Sequence, residues 1–453
     1  MKHTTSLFIF RQDLRIHDNN WLIKAIKESK NIIPIFIFDE NILSKFPKQN
    51  KVIWFLIDAL KQLEKELVAK WSYLSIYYWD STKIIPDLVK KNSIDAIYRN
   101  ESYWHGAVTR DVSIQQYCKE HNIAYYPTHD YLIVPIDAVP VRKVFTPFYK
   151  LWQKYLELHS ELTHIQSTPT KIVSPAIDLT PRSKIEPHLG GDKNILWPIN
   201  FPTDRLQQFD FTSYNDTRNI PSLDWSSRLS PYIRFGILSI RVVYQKALKE
   251  WAHTYISELA WREFWQHIYY HFPHTRTLEF QEKRKNIVWD NNEKYFEAWK
   301  NGETWYPMVD AWMRQLKAEN RMHGRNRMVV ASFLTKDLLI DWRWWEKYFA
   351  EMLIDYDTNV NIGNRQWSAS VWADPKPLRI FSPMLQSERF DPDCIYIKKR
   401  IPELEKYSPK EIHNPLENNL WYATPIVNHY EWSKRAKELY KESGDEYISQ
   451  KLF

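Results

Sequence analysis

An α/β domain built on a parallel sheet, followed by an all-α domain, is the fold class that this sequence predicts. Three observations carry it. The first 135 residues alternate short apolar runs with helix-period segments, the middle of the chain loses all periodicity, and the rest repeats apolar residues at three and four. The apolar runs lie at 7–10, 32–38, 74–79, 96–98 and 123–126, and segments such as 52–69 between them have helical spacing. Strands alternating with helices give parallel pairing, and ligands of such sheets sit at the carboxyl ends of the strands. The polar segments 11–18 and 99–105 fall there. From 161 to 202, Pro169, Pro175, Pro181, Pro187 and Pro198 with Gly190 and Gly191 between them predict a connection wrapped over the surface. Helices are predicted at 240–252, 256–271, 291–301, 306–317, 328–340 and 344–353. The expected domains are 1–135, a linker over 136–204, and a helical domain over 205–453.

Composition removes several function classes. Two cysteines, Cys118 and Cys394, cannot build a disulfide framework, a four-cysteine zinc site or a cysteine-ligated iron–sulfur cluster. Apolar runs such as 32–38 are too short to span a bilayer. Arg11 follows only four consecutive apolar residues, so no secretory signal and a reduced, cytoplasmic setting are expected. The 8 glycines, at 106, 190, 191, 236, 302, 324, 363 and 444, include no phosphate-loop spacing, which excludes Walker, G-x-G-x-x-G and kinase-type loops. Any nucleotide cofactor must be held without them. Rings are abundant, with 22 Trp, 27 Tyr and 21 Phe. They suit a helical core as well as the stacking of a flat ligand or the passage of electrons. Net charge is +7, yet residues 201–453 carry 36 Lys and Arg against 34 Asp and Glu, so nucleic-acid binding must rest on local patches.

Four constellations carry chemistry. In WSSRLSPYIRFG (225–236), Ser226, Ser227 and Ser230 beside Arg228 read either as a plain N-cap or as an anion cradle. In YISELAWREFWQHIYYH (255–271), Glu258, Trp261, Arg262 and Trp265 share one helical face, as a functional acid, ring and cation or as an i,i+4 pair. His267, His271 and His274 suit core or surface positions better than metal ligation. Arg314, Lys317, Arg321, Arg325 and Arg327 form a basic stripe for phosphates or for solvent, although Asn320 and Gly324 argue against one continuous helix. In LIDYDTNVNIGNRQWSAS (353–370), Asp355, Asp357, Asn359, Asn361 and Asn364 concentrate polar groups in a loop-like run suited to reading a polar ring edge. Calcium-loop spacing is absent there.

With these residues stands a resemblance. FIFRQDLRIHDN (8–19), KVFTPFYKLW (143–152), WSSRLS, ELAWREF, YPMVDAWMRQL, KDLLIDWR and RIFSP occur in the order found in the photolyase/cryptochrome flavoproteins. The chain resembles class I cyclobutane pyrimidine dimer photolyases most. The resemblance implies an antenna domain, a helical domain holding U-shaped FAD, and UV-damaged DNA as the partner of a monomer that has no membrane attachment. It implies FAD contacts from Tyr214, Ser226, Ser227, Arg228, Leu229, Ser230, Tyr255, Arg327, Asp355 and Asp357, with Asn361 facing the flavin N5. DNA contacts would come from Arg218, Glu258, Trp261, Arg262, Gly324, Arg325, Met328 and Trp367. Asn100 and Glu101 match the pair that holds a folate-type antenna (5,10-methenyltetrahydrofolate) in some members. No metal is implied.

The implied activity is blue-light-driven lyase repair, in which a flipped-out lesion stacks on Trp261 and Trp367 and hydrogen-bonds Glu258, while reduced FAD donates the electron. The departures from the family pattern are specific. Trp289 and Trp342 match the outer members of a three-tryptophan electron chain, but Arg365 takes the position nearest the flavin. Gly324 replaces an Asn, Arg321 a Trp, and Tyr356 a Gly. These departures keep two further functions in view: a cryptochrome-like blue-light receptor, and a DNA-binding flavoprotein without photochemistry. Slow or rerouted light reduction, through Trp372 or another ring, is expected.

Overall fold

β-branched and aromatic runs pair into one sheet in the computed structural model, which describes residues 1–44, 50–103, 105–175, 198, 201–223, 226–373, 378–417 and 425–451, with only the backbone of 105 and of 445–451. Trp225 and part of the predicted linker, 176–197 with 199 and 200, lie outside these residues. The strands are β1 (His3–Phe10), β2 (Ser29–Phe38), β3 (Ser75–Tyr78), β4 (Ala96–Asn100) and β5 (Ala124–Thr128). All four pairings are parallel, in the order β3-β2-β1-β4-β5. All five predicted runs are therefore strands. Each crossover carries a helix, among them Asn20–Glu28, Lys51–Val68 and Ser81–Asn92, capped by Asn19, Asn50 and Asp80 through bonds to backbone amides. Central β1 is buried on both faces from Thr5 onward, as a parallel strand covered by helices must be. Strand order reverses between β1 and β4, which opens the crevice where 11–18 and 99–105 were expected to meet.

The chain forms two compact units. The first comprises Met1–Val141, Thr146–Phe211 and Ser227–Tyr270. Within it, the helices after Ser227 are fastened by buried charge. Arg241 donates to Asp18 (2.8 Å) and Asp130 (2.7 Å), Arg15 also donates to Asp130, and all four are at most 6% exposed. Glu263 is fully enclosed and accepts from the Trp152 indole (2.6 Å) and from the backbone N–H groups of Ile133 and Val134. Gly236 has φ +64, and a Cβ there would lie 2.0 Å from the Gln12 carbonyl oxygen, so only glycine fits.

The second unit comprises Arg142–Phe145, Thr212–Ser226 and His271–Phe453. Its core packs Trp299, Trp312, Trp345, Phe349, Val309 and Met313. Burial of each such side chain contributes about 1.5–3 kcal/mol. Its main helices run Glu293–Asn301, Pro307–Glu319, Gly324–Ser332, Trp342–Met352, Thr358–Ser368 and His429–Lys451. Asn320, at φ 53, ends the second of these, so the basic stripe spans two helices, as its Asn and Gly predicted. The helix expected at 328–340 starts earlier, because His323 accepts the Arg325 N–H at the cap. It widens into a π turn at Phe333–Asp337, where the Thr335 hydroxyl donates to the Ala331 carbonyl.

The stretch 353–370, expected to be loop-like, is largely the helix Thr358–Ser368. The Asp357 carboxylate accepts from the N–H groups of Asn359 and Val360 and so nucleates it. No helix among the described residues is long and apolar enough to cross a membrane.

Candidate functional site

In the first unit, the serine run does not serve as an N-cap. The helix Ser230–Arg234 has Leu229 at its cap position and no side chain bonded there. Ser227 lies instead 2.8 Å from the Tyr255 hydroxyl, whose pKa burial pushes up to about 12. Arg228 sits in the left-handed region at φ 56, a strained conformation for a side chain with a Cβ.

The helix His253–His271 carries Tyr255, Glu258, Trp261 and Arg262. Its buried side packs Tyr255 and Trp265, while Glu258, Trp261 and Arg262 stay partly exposed. Trp261 is braced by Trp265 (5.7 Å between centroids) and Phe264 (5.5 Å, edge-on), which fixes the plane of an accessible indole. Arg262 donates to the Tyr131 carbonyl (3.0 Å) and covers that ring at 4.0 Å, so its guanidinium is positioned by β5's following loop. His267 faces the Ile136 carbonyl.

At the switch point, Asn100 donates to Asp13 (2.5 Å) and accepts from Thr128 (3.1 Å). Burial raises the pKa of the neighbouring Glu101. Around them, Arg11 grips Asp111 with two bonds of 2.8 and 2.6 Å.

The second unit gathers most of the other candidates. Arg327 binds both Asp355 oxygens at 2.9 Å and the Met322 carbonyl at 2.8 Å, a charged pair of fixed geometry. Asp357 is occupied as the cap described above. Asn361 is 8% exposed, and its amide Nδ2 finds no hydrogen-bond partner. Tyr214 opens a short helix, with the Arg218 guanidinium 5.4 Å from its ring. Arg325 donates twice to Asn219. A Cβ built on Gly324 meets nothing within 4 Å, so the backbone leaves room for the larger residue that the family carries. Met328 and Trp367 are half-buried, and Arg379 covers the Trp367 ring at 4.6 Å.

The position that the resemblance places nearest the flavin holds a cation with a counter-ion. Arg365 is fully buried, 2.7 Å from Glu346, and lies over Trp345 at 5.0 Å and Phe349 at 5.7 Å. Tyr356 donates to the same Glu346 carboxylate at 2.6 Å, and burial raises its pKa. Two departures from the family pattern, Arg365 and Tyr356, thus share one acid. Trp342 is buried and donates to Glu279, Trp289 meets Tyr440 edge-on, and Trp372 packs on Phe280 at 4.2 Å.

A cavity of this unit is lined by Arg218, Ser226, Gln315, Arg321, His323 and Asn326. Arg321 donates to the Ser226 hydroxyl. Burial and the arginines at 321, 327, 218 and 325 depress His323 to about 3. Glu346, Asn326 and Gln315 were not singled out by sequence reasoning. The available signal was an Asn set among the core residues of 324–332. A flavin with a diphosphate fits what is present: an unpartnered amide at Asn361 for a polar ring edge, and cations beside hydroxyls for an anion.

Two family models match, the DNA photolyase domain over residues 6–170 and the FAD binding domain of DNA photolyase over 255–442. A deoxyribodipyrimidine photo-lyase of Synechococcus sp. is 34% identical over 96% of both chains. A class III photolyase of Agrobacterium tumefaciens matches with a TM-score of 0.90 at 29% identity over 98% of each chain. A cryptochrome of Synechocystis sp. matches with a TM-score of 0.85 at 26% identity, covering 97% of this chain and all of the other. Sheet order, charged pair, amide and full-length similarity agree, and the chain belongs to the FAD-dependent photolyase/cryptochrome family.

Proposed function

We propose that this chain repairs cyclobutane pyrimidine dimers in DNA under blue light. The observation that carries this reading is the exposed side of the helix His253–His271. An acid, an indole held in a fixed plane and a positioned guanidinium stand there within about one turn, at 258, 261 and 262. FAD, bound and reduced, supplies the photoexcited electron. The protein's own part is recognition and placement. Arg218 and Arg325 meet backbone phosphates, which give register without sequence information. Trp261 and Trp367 supply ring faces for flipped bases, and Glu258 offers a hydrogen bond to the opened ring system. Asp355, held by Arg327, and the Asn361 amide orient the flavin edge.

Pre-reduced protein, an oligothymidine containing dimers and blue light provide the test. Restored thymine absorbance is the expected result. Binding without restoration points to a flavoprotein that binds DNA without photochemistry, and absence of both supports signalling.

The receptor reading is favoured by one observation, the fully buried Arg365 where the family places its flavin-proximal tryptophan. A guanidinium cannot relay an electron as an indole does. Illumination of the oxidised holoprotein with a thiol donor should therefore reduce the flavin slowly, and Arg365→Trp should accelerate that reduction. Rapid, complete bleaching of the unaltered protein would refute a broken chain. Slow light reduction is compatible with repair, since it concerns how the flavin becomes reduced and leaves the dimer-splitting step untouched.

A further inference from the structure

The position where Arg365 breaks the family's tryptophan chain has a phenol beside it. Tyr356 stands between Asp355 and Asp357, the two carboxylates that the resemblance assigns to the flavin, where the family pattern has a glycine. Its hydroxyl donates to Glu346 at 2.6 Å, and the same carboxylate holds Arg365 at 2.7 Å. Burial and the Glu346 charge raise its pKa, so the phenol is protonated at any ordinary pH. Oxidation of a protonated phenol inside a protein buries a new cation unless the proton leaves with the electron. The bond to Glu346 provides that exit, and the Glu346 side chain, 22% exposed, reaches solvent. Two tryptophans of the adjoining helix Trp342–Met352 offer less. Trp345 faces the Arg365 guanidinium at 5.0 Å, is 2% exposed, and its indole N–H finds no hydrogen-bond partner. An indole radical cation there would meet a fixed positive charge and no group to take its proton. Trp342 donates to Glu279 at 3.1 Å, but the resemblance sets it one step beyond position 365.

We infer that Tyr356 is this chain's electron donor to photoexcited oxidised FAD, with Glu346 as its proton acceptor, an inference that rests on the FAD placement proposed above. One electron leaves the phenol for the flavin, the phenolic proton passes to the Glu346 carboxylate, and a neutral tyrosyl radical remains. The carboxylate loses its negative charge as the flavin gains one, so Arg365 keeps a balancing anion throughout. An external thiolate then gives the radical one electron and becomes a thiyl radical, and the proton returns from Glu346 to the phenol oxygen. The net change is one electron moved from thiolate to flavin. Both Tyr356 and Arg365 depart from the family pattern, so the route belongs to this chain, and it exchanges a relay of indoles for one proton-coupled step.

The test illuminates the oxidised holoprotein, follows flavin bleaching with a thiol donor, and without the thiol reads the trapped radical by electron paramagnetic resonance. A tyrosyl signal that narrows when the protein carries ring-deuterated tyrosine is expected in the parent. Tyr356→Phe, which removes only the hydroxyl, should slow bleaching at least about 10-fold and abolish that signal. Its FAD content and thermal transition, measured alongside, report binding and folding separately. Glu346→Gln keeps an acceptor oxygen but takes up no proton, so it should bleach several-fold more slowly and lose the slowing in deuterium oxide that the parent shows. Trp345→Phe should retain the tyrosyl signal. A tryptophanyl radical in the parent, or Tyr356→Phe bleaching at the parental rate, would overturn the inference. Repair of dimers by pre-reduced protein that forms no tyrosyl radical on illumination would overturn it alone and leave the repair reading standing. A chain that takes up no FAD would remove both.

Discussion

Glu346→Ala is expected to cost about 3–5 kcal/mol of unfolding free energy, because it leaves a buried guanidinium without its counter-ion. Arg365 has no exposed surface, so it cannot turn to water, and its flat faces are already against Trp345 and Phe349. The substitution also strands the Tyr356 hydroxyl, which donates to the same carboxylate. Glu346→Gln keeps the acceptor oxygen and the shape, and should cost less than half as much. Arg365→Met alone leaves a carboxylate whose side chain is 22% exposed and can be hydrated, so it too should be milder than Glu346→Ala. Because the partners touch, the double variant Arg365→Met with Glu346→Gln should be more stable than the sum of the single losses predicts. Urea unfolding of the four proteins measures each term. A Glu346→Ala protein within 1 kcal/mol of the parent would show that Arg365 draws little from this pair.

That pair ties stability to photochemistry. An indole at 365 would make Glu346 surplus, while Tyr356 would keep its acceptor. Arg365→Trp with Glu346 unchanged should therefore lose stability even as it gains light-reduction rate. Measured side by side, the two effects separate the electronic role of position 365 from its structural one.

The sheet was legible because parallel strands are buried on both faces and so appear as unbroken apolar runs; 32–38 is Ile-rich throughout and is β2 without ambiguity. The break between the two basic helices was legible from Asn320 and Gly324. The helix Thr358–Ser368 was not, because Asn359, Asn361 and Asn364 interrupt apolar periodicity where burial is met by polar groups. Its one clear signal was Asp357 two residues ahead of Asn359, an N-cap spacing. The roles of site positions such as Asp355 and Trp261 came from motif resemblance. Other contacts came from neither source: Glu346 meets Arg365 only because the helices Trp342–Met352 and Thr358–Ser368 pack together, and Asn326 is one Asn among many until its burial is known. Such contacts between helices are set by tertiary packing, which a single sequence does not record.

Acid should weaken the fold well above the carboxylate range, through two histidines held neutral. Burial lowers His129 to about 4 against the push of Asp130, and burial with four arginines lowers His323 to about 3. Both folded values lie below the unfolded value near 6.5. The sign follows: below about pH 6.5 the unfolded chain takes up protons that the native chain refuses, so stability is present at neutral pH and falls as pH drops toward the folded values. Each histidine contributes up to about 2 kcal/mol of loss between pH 6.5 and 5, and roughly half that after allowance for its partial exposure. Asp337, raised by burial to about 6 and paired with His429, runs the other way, since protonation relieves it in the native state. The histidine effect is therefore isolated by difference. His129→Gln retains an acceptor for the Tyr103 hydroxyl, and His323→Gln an acceptor for the Arg325 amide, so both should fold. Between pH 7.5 and 5.0 each should lose about 1 kcal/mol less than the parent in urea titrations, with about one fewer proton taken up on unfolding. Parallel losses in all three proteins would place the acid response elsewhere, on the carboxylates.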